Sequence, residues 1–277
     1  MRTQLKNIIP NWAKALVRKS IESLQNGLLY NNGSLAHRNF IVTFHKCGSQ
    51  WFKTTLGSHA LHKIADYQYF AYKVLPRKGF DTRKLTERYF SKQNLGPGIY
   101  GPLYSGVEPL KDLSSDDRIC VIIRDPRNII TSWYDSLLNT HAKMGDVGEL
   151  RRALQTASEP EGMDIVINHA EIFGTFTAME EWVQQVSINQ NLLIIKFEDI
   201  FSKNQLRYFI SMMSHFQIVY KKDTLESVLG KVSFDTLSKK NKHYNKGQKR
   251  DWRDELTPRQ VNRINQLCPS LVQLYDN

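Results

Sequence analysis

Three nearly unbroken runs of apolar and β-branched residues punctuate the chain, at Phe40–Phe44, Ile119–Ile123 and Leu192–Phe197. Each is too short for a core helix and reads as a strand buried on both faces, the habit of a parallel sheet. Helical spacing follows or precedes each run. After the first come Phe52, Leu56, Ala60 and Ile64, and after the second Ile129, Ile130, Trp133 and Leu137. Before the third lie Ile172, Phe176, Met179, Val183 and Val186, which read as one helix. A shorter strand is expected at residues 99–104. Helix is expected from Asp199 to Leu229, with a last helix opened by Thr257-Pro258 and bearing Val261, Ile264 and Leu267. Strands alternating with helices at these intervals predict an α/β fold around a parallel sheet. In such sheets ligands collect at the carboxyl ends of the strands.

The intervening segments are less regular. Residues 1–38 carry Ile8, Ile9, Trp12, Leu16 and Ile21 among Lys14, Arg18 and Lys19, a basic amphipathic pattern. It is expected to pack as a helix on the edge of a single domain spanning residues 39–277; contact with a membrane surface is the other reading. Residues 65–98 mix aromatic and basic side chains, and 139–165 look like a loop-and-helix insertion. The stretch 239–253 holds seven Lys/Arg.

Chemistry concentrates where the first strand ends. His45-Lys46-Cys47-Gly48-Ser49 turns the chain into a helix whose first residues include Gln50 and Trp51, with Ser49 as the expected N-cap. A strand, a tight loop with Gly and Lys, and a helix N-terminus make an anion site, because backbone N–H groups and the positive dipole end face the loop. Walker A order is absent, since Lys46 precedes the only glycine. The order Lys-x-Gly-Ser-x-Trp resembles instead the 5′-phosphosulfate loop of sulfotransferases that use 3′-phosphoadenosine 5′-phosphosulfate (PAPS), although Cys47 and Gln50 depart from the usual residues.

Two further motifs stand in that family's order. Arg124-Asp125-Pro126-Arg127-Asn128 followed by Ser132 is similar to the family's 3′-phosphate motif. An arginine suits that task because its planar fork meets phosphate oxygens in pairs. Asn245-Lys246-Gly247 followed by Asp251-Trp252 resembles the loop that closes over the same phosphate, with Asn245 in place of an arginine. Ser233-Phe234 resembles a pair whose ring, with Trp51, would sandwich the adenine, and Phe197-Glu198-Asp199 resembles a Tyr-Glu-Asp that has lost its hydroxyl. The resemblance implies the family's three-layer, P-loop-like α/β/α fold, PAPS as donor with 3′,5′-ADP (PAP) as product, and no metal. It also implies a PAP(S)-binding set of Lys46, Cys47, Gly48, Ser49, Gln50, Trp51, Arg124, Ser132, Phe197, Ser233, Phe234, Asn245, Lys246 and Gly247.

Sulfuryl transfer resembles phosphoryl transfer, with charge growing on the oxygen that leaves. Lys46 is the residue to stabilise that charge. The base is harder to find. The family's histidine before the arginine strand is absent from Tyr100-Gly101-Pro102-Leu103-Tyr104. The stretch after the first helix offers His59, His62 and Asp66, of which His59 and Asp66 are the leading candidates; Tyr104 and Glu108 are further ones.

Composition adds one constraint. A formal net charge of +11 and a pI near 9.5 favour an anionic partner. The expected acceptor is a small molecule or saccharide bearing a hydroxyl or amine, phenolic if the aromatics decide and acidic if the charge does. Two rivals stay open: a kinase-like nucleotide enzyme, and a basic nucleic-acid-binding module built on 65–98 and 239–253. The favoured reading expects no nucleic-acid partner and leaves oligomeric state open. Cys47, Cys120 and Cys268 have no metal-ligand spacing and cannot all pair, which suits a reducing compartment. With no signal-peptide core and no apolar run of membrane-spanning length, the expectation is a soluble, cytoplasmic protein.

Overall fold

The computed structural model describes residues 35–71, 95–110, 113–141, 146–232, 236 and 251–276. Five strands form one wholly parallel sheet: β1 (Arg38–Val42), β2 (Tyr69–Ala71), β3 (Gly98–Leu103), β4 (Arg118–Ile123) and β5 (Leu192–Lys196). Their order is β2-β3-β1-β4-β5. Strand β2 is an addition to the sequence expectation, because its three residues lie in an aromatic stretch without clear period. The three predicted apolar runs are β1, β4 and β5. Phe197, expected to close the third, already belongs to the following helical turn.

This order dictates where a ligand can enter. From β1 the chain moves toward the β2 side of the sheet, and from β4 toward the β5 side. Right-handed crossovers in opposite directions put the two connections on opposite faces. A crevice therefore opens at the carboxyl ends of β1 and β4, the topological switch point. The start of this strand pair is tied by Arg38, whose Nε donates to Asp117 Oδ1 at 2.9 Å.

Helix α1 (Ser49–Leu56) leaves β1 and buries Trp51, Phe52, Thr55 and Leu56. It stops at Gly57, so the apolar spacing expected to run on to Ile64 is carried by a separate turn, α2 (His59–His62). Helix α3 (Pro126–Asn139) leaves β4. Asp125 caps it by accepting from Arg127 N at 2.9 Å, Pro126 opens it, and Ile129, Ile130, Trp133 and Leu137 face the core, as the spacing predicts.

The expected insertion at 139–165 contains α4 (Val147–Thr156) and the start of α5 (Glu159–Ile172). The single helix expected over Ile172–Val186 is broken. Gly174, at φ 62°, separates α5 from α6 (Thr175–Gln185) and leaves Ile172 exposed. Beyond β5 come α7 (Phe197–Ile200), α8 (Gln205–His215) and α9 (Lys222–Lys231). The helix expected to run unbroken to Leu229 is interrupted where Tyr220 bridges back to Ala65.

Helices α10 (Trp252–Glu255), α11 (Pro258–Leu267) and α12 (Pro269–Asp276) end the described chain. Thr257 and Gln260 form the capping box of α11. Glu180 of α6 accepts from Ser270 N and Leu271 N at 3.0 and 2.9 Å, capping α12 from a neighbouring helix. All three cysteines are buried free thiols. No helix among the described residues is long and apolar enough to cross a membrane.

Candidate functional site

The loop leaving β1 holds two irregularities, on either side of Cys47, that a repetitive chain would avoid. Lys46 has φ 64° and Gly48 has φ 80°, both left-handed. For Lys46 that conformation costs on the order of 1 kcal/mol and persists only where neighbours enforce it. The enforcing contact is Arg124, whose Nη1 donates to Lys46 O at 2.9 Å. Gly48, rather than the expected Ser49, is the N-cap residue of α1. A Cβ at Gly48 would lie 3.0 Å from Phe201 and 3.1 Å from Phe197, so both the backbone and the packing demand glycine.

Helix α1 makes its first intrahelical bonds from Trp51 N and Phe52 N to Gly48 O, at 2.9 and 3.1 Å. The N–H groups of Gly48, Ser49 and Gln50 precede that ladder and head the helix. Ser49 Oγ accepts from Tyr104 OH at 2.6 Å. Gln50 is exposed, and Cys47 is buried with its Sγ donating to His45 O at 3.6 Å. Burial pushes the Cys47 thiol up to about 12, which keeps it neutral and unreactive.

Two cations share this crevice. Burial, and then the adjoining Arg124 charge, lower Lys46 to about 8, partly offset by Asp135 of α3. Arg124 lies over the Phe197 ring, 4.6 Å from its centroid, and its Nε stands 3.8 Å from Glu198 Oε1. That separation is too long for a hydrogen bond, and Arg124 Nε is buried without a hydrogen-bond partner. Desolvation shifts Glu198 upward and Arg124 downward. A buried guanidinium with an unused donor, beside a helix head, is what an incoming anion would satisfy.

The remaining expected residues divide into three groups. Ser132 is half-buried on α3, eight residues after Arg124. Trp51 is a core residue at 1 % exposure, its Nε1 donating to Val232 O at 2.7 Å and its ring meeting Phe52, Phe201 and Phe209 edge-on. The indole thus offers no open face to a base in this arrangement. Ser233, Phe234, Asn245, Lys246 and Gly247 lie outside the described residues, as does the N-terminal segment 1–34. The Asp-Trp end of the third motif is described: Asp251 caps α10, and Trp252 lies against Arg127, 4.2 Å from guanidinium carbon to ring centroid.

The candidate bases do not converge on Lys46. His59 and Asp66 are exposed, beyond the far end of α1. Eight helical residues put about 12 Å between that end and the lysine loop. His62 sits with its ring against Tyr67 at 4.4 Å and is lowered by burial to about 4. Glu108 is exposed on a short 3-10 turn. Tyr104 alone reaches the loop, and burial raises its phenol. No cluster of metal-ligating side chains occurs among the described residues.

Sequence reasoning passed over His45. Its imidazole stacks on Trp133 at 4.5 Å and 18°, lies 5.2 Å from the Tyr104 ring and meets Phe173 edge-on at 6.5 Å. Its place immediately before Lys46 was the one signal available.

Comparison with known proteins identifies a family and a fold. A family model described as Sulfotransferase domain matches residues 37–276. No curated protein matches by sequence. Among solved structures, mouse sulfotransferase SULT7A1 complexed with PAP aligns at TM-score 0.57 and 13% identity, over 88% of this chain and 87% of that one. Retinol dehydratase with androsterone and PAP aligns at TM-score 0.46 and 13% identity, over 92% and 85% of the two chains. The same enzyme with retinol and PAP aligns at 0.47 and 13%, over 92% and 86%. At these identities the likeness is one of fold.

Proposed function

The chain belongs to the sulfotransferase-domain family, and from that premise we propose that it moves a sulfuryl group from PAPS to a hydroxyl of a small apolar acceptor. The observation that carries this reading is the meeting of Lys46, the head of α1 and Arg124 at the β1/β4 crevice, joined by the Arg124–Lys46 bond of 2.9 Å. The orphaned Arg124 Nε beside the head of α1 fits an anionic nucleotide. When bound, PAPS supplies an activated sulfuryl group on a phosphate leaving group.

Lys46 and the N–H groups of Gly48, Ser49 and Gln50 would hold the 5′-phosphosulfate end and stabilise charge as it grows there. Arg124 and Ser132 would read the 3′-phosphate, with Phe197 flanking the guanidinium. Ser233 and Phe234 are assigned to the adenine end and Asn245, Lys246 and Gly247 to closure over the 3′-phosphate, while Trp51 backs the head of α1 from the core. Tyr104 fixes the head of α1 through Ser49. Residues 39–277 form the catalytic domain in this reading, with 1–38 packed on its edge. Three free, buried thiols support a reducing, cytoplasmic setting. A saccharide or an amine is the broader acceptor class; the aromatic wall beside Lys46 favours the apolar hydroxyl.

Calorimetric titration with PAP, 5′-AMP and ATP at matched ionic strength tests the proposal. Tight one-to-one binding of PAP with much weaker binding of 5′-AMP is expected. Equal or absent binding of all three would refute it, and a preference for ATP would favour a kinase-like enzyme. Steep salt-dependent binding of long polyanions without a saturable mononucleotide site would instead favour the nucleic-acid reading.

A further inference from the structure

Beside the lysine loop lies a small cleft open to solvent. Its walls include Phe44, His45, Tyr104, Phe173, Thr175 and Ala178. The cleft adjoins the anion site through two connections. Tyr104 is both its wall and the donor to Ser49 at the head of α1. His45 leaves the same turn as Lys46, with consecutive Cα atoms about 3.8 Å apart.

His45 is the unexplained group in this cleft. Trp133 and Tyr104 hold its ring, yet its Nε2 is buried with no hydrogen-bond partner. A buried polar nitrogen left unpaired costs about 1–3 kcal/mol, so a fold that keeps one calls for a reason. We propose that His45 Nε2 receives the proton of the acceptor hydroxyl, replacing the histidine that the segment after β3 lacks. The proposal rests on the sulfotransferase reading above.

The step balances. The acceptor oxygen forms a bond to sulfur as its O–H breaks, and the proton passes to His45 Nε2. The bond between sulfur and the bridging oxygen of the donor's 5′-phosphate breaks, and its electron pair stays on that oxygen, opposite Lys46. Sulfated acceptor and PAP leave, and the imidazolium returns its proton to water. Burial, with His141, His169 and Lys46 close by, lowers His45 to about 3, so Nε2 is unprotonated at neutral pH when Nδ1 carries the hydrogen. An anionic donor beside Lys46 offsets that residue's charge and so raises the imidazole, against the burial that dominates its lowering. The other groups facing the loop are the Tyr104 phenol and the Asp135 carboxylate near Lys46.

His45→Phe removes the nitrogen and keeps a flat ring against Trp133. With phenol, which is un-ionised at neutral pH, the variant should lose about 10²–10³-fold in kcat. With 4-nitrophenol assayed above its own pKa, where no proton need be removed, the loss should be less than about tenfold. PAP affinity, measured by calorimetry, should change by less than about threefold, as a side chain outside the nucleotide contacts implies. A second readout needs no turnover. In wild-type protein holding PAP, the His45 Nε2 nitrogen resonance, assigned through His45→Gln, should shift when phenol is added.

Equal losses on both phenols, or an unmoved resonance, would overturn the role of His45 while leaving the sulfotransferase reading intact. Wild-type protein that binds PAP but turns over neither phenol would overturn the cleft as acceptor site, and with it this inference. Failure to bind PAP at all would refute the underlying function.

Discussion

Arg124 and Arg127 stand one helical turn apart at the end of β4, and their surroundings could hardly differ more. Arg127 is held by three side-chain hydrogen bonds. Its Nε and Nη2 donate to Asp125 at 2.9 and 3.1 Å, Nη2 also reaches Asp276 at 2.7 Å, and Trp252 covers its plane. These bonds join the start of α3 to α10 and to the last turn of α12, and the paired carboxylates hold its pKa above the ordinary arginine value against the cost of burial. Arg124 makes one hydrogen bond to a carbonyl, keeps Nε without a hydrogen bond at 3.8 Å from Glu198, and is held below the ordinary value by burial. One arginine is spent on the fold and the other is kept in reserve for a ligand. Burial alone does not separate them; the count of satisfied donors does.

Substitution should separate the two sharply. Arg127→Ala strands Asp125 in the interior and is expected to lower unfolding free energy by about 3–5 kcal/mol, read by urea denaturation. If the protein retains wild-type stability, the structural assignment of Arg127 is wrong. Lys46→Ala, which removes the charge that Arg124 positions through its carbonyl, should cut kcat by about 10²–10³-fold with PAP affinity much less affected. Wild-type turnover in that variant would sink the mechanism.

Arg124→Ala is expected to weaken PAP binding by about 10–100-fold in calorimetry, from loss of a charge-assisted pair, with little change in the urea midpoint. A large stability loss without loss of PAP affinity would reverse the comparison. The smallest effect is a shift in pH dependence. Lys46, lowered to about 8, is charged below that pH and neutral above it. For PAPS, kcat/KM should therefore fall as pH rises through about 8. Arg124→Ala removes a positive neighbour and should move this limb upward, and Lys46→Arg should carry it out of the accessible range. A limb that stays fixed in both variants belongs to another group.

Much of the scaffold was legible because it rests on local pattern. Apolar runs marked β1, β4 and β5, and Pro126 behind Asp125 marked the start of α3. Lys46-x-Gly48 and Arg124 were found for the same reason, since a strand end followed by a helix head is a contiguous device. The errors are also local in origin. Ala60 and Ile64 continued a helical spacing across Gly57, and Ile172 and Val186 continued one across Gly174, because spacing counts side chains and does not register a backbone reversal.

What the chain by itself determined, then, is four of the five strands, their alternation with helices, and the two cations at strand ends, each encoded within a few residues. The tertiary structure alone decided which of two neighbouring arginines keeps a free donor, why Gly48 tolerates no side chain, and that His59 and Asp66 face away while His45 faces the cleft. Those outcomes depend on Phe197 and Phe201 closing on Gly48, on Asp276 reaching Arg127, and on Trp133 and Phe173 meeting His45. Such partners lie scores of residues away, and only the folding of the sheet and its helices brings them into contact.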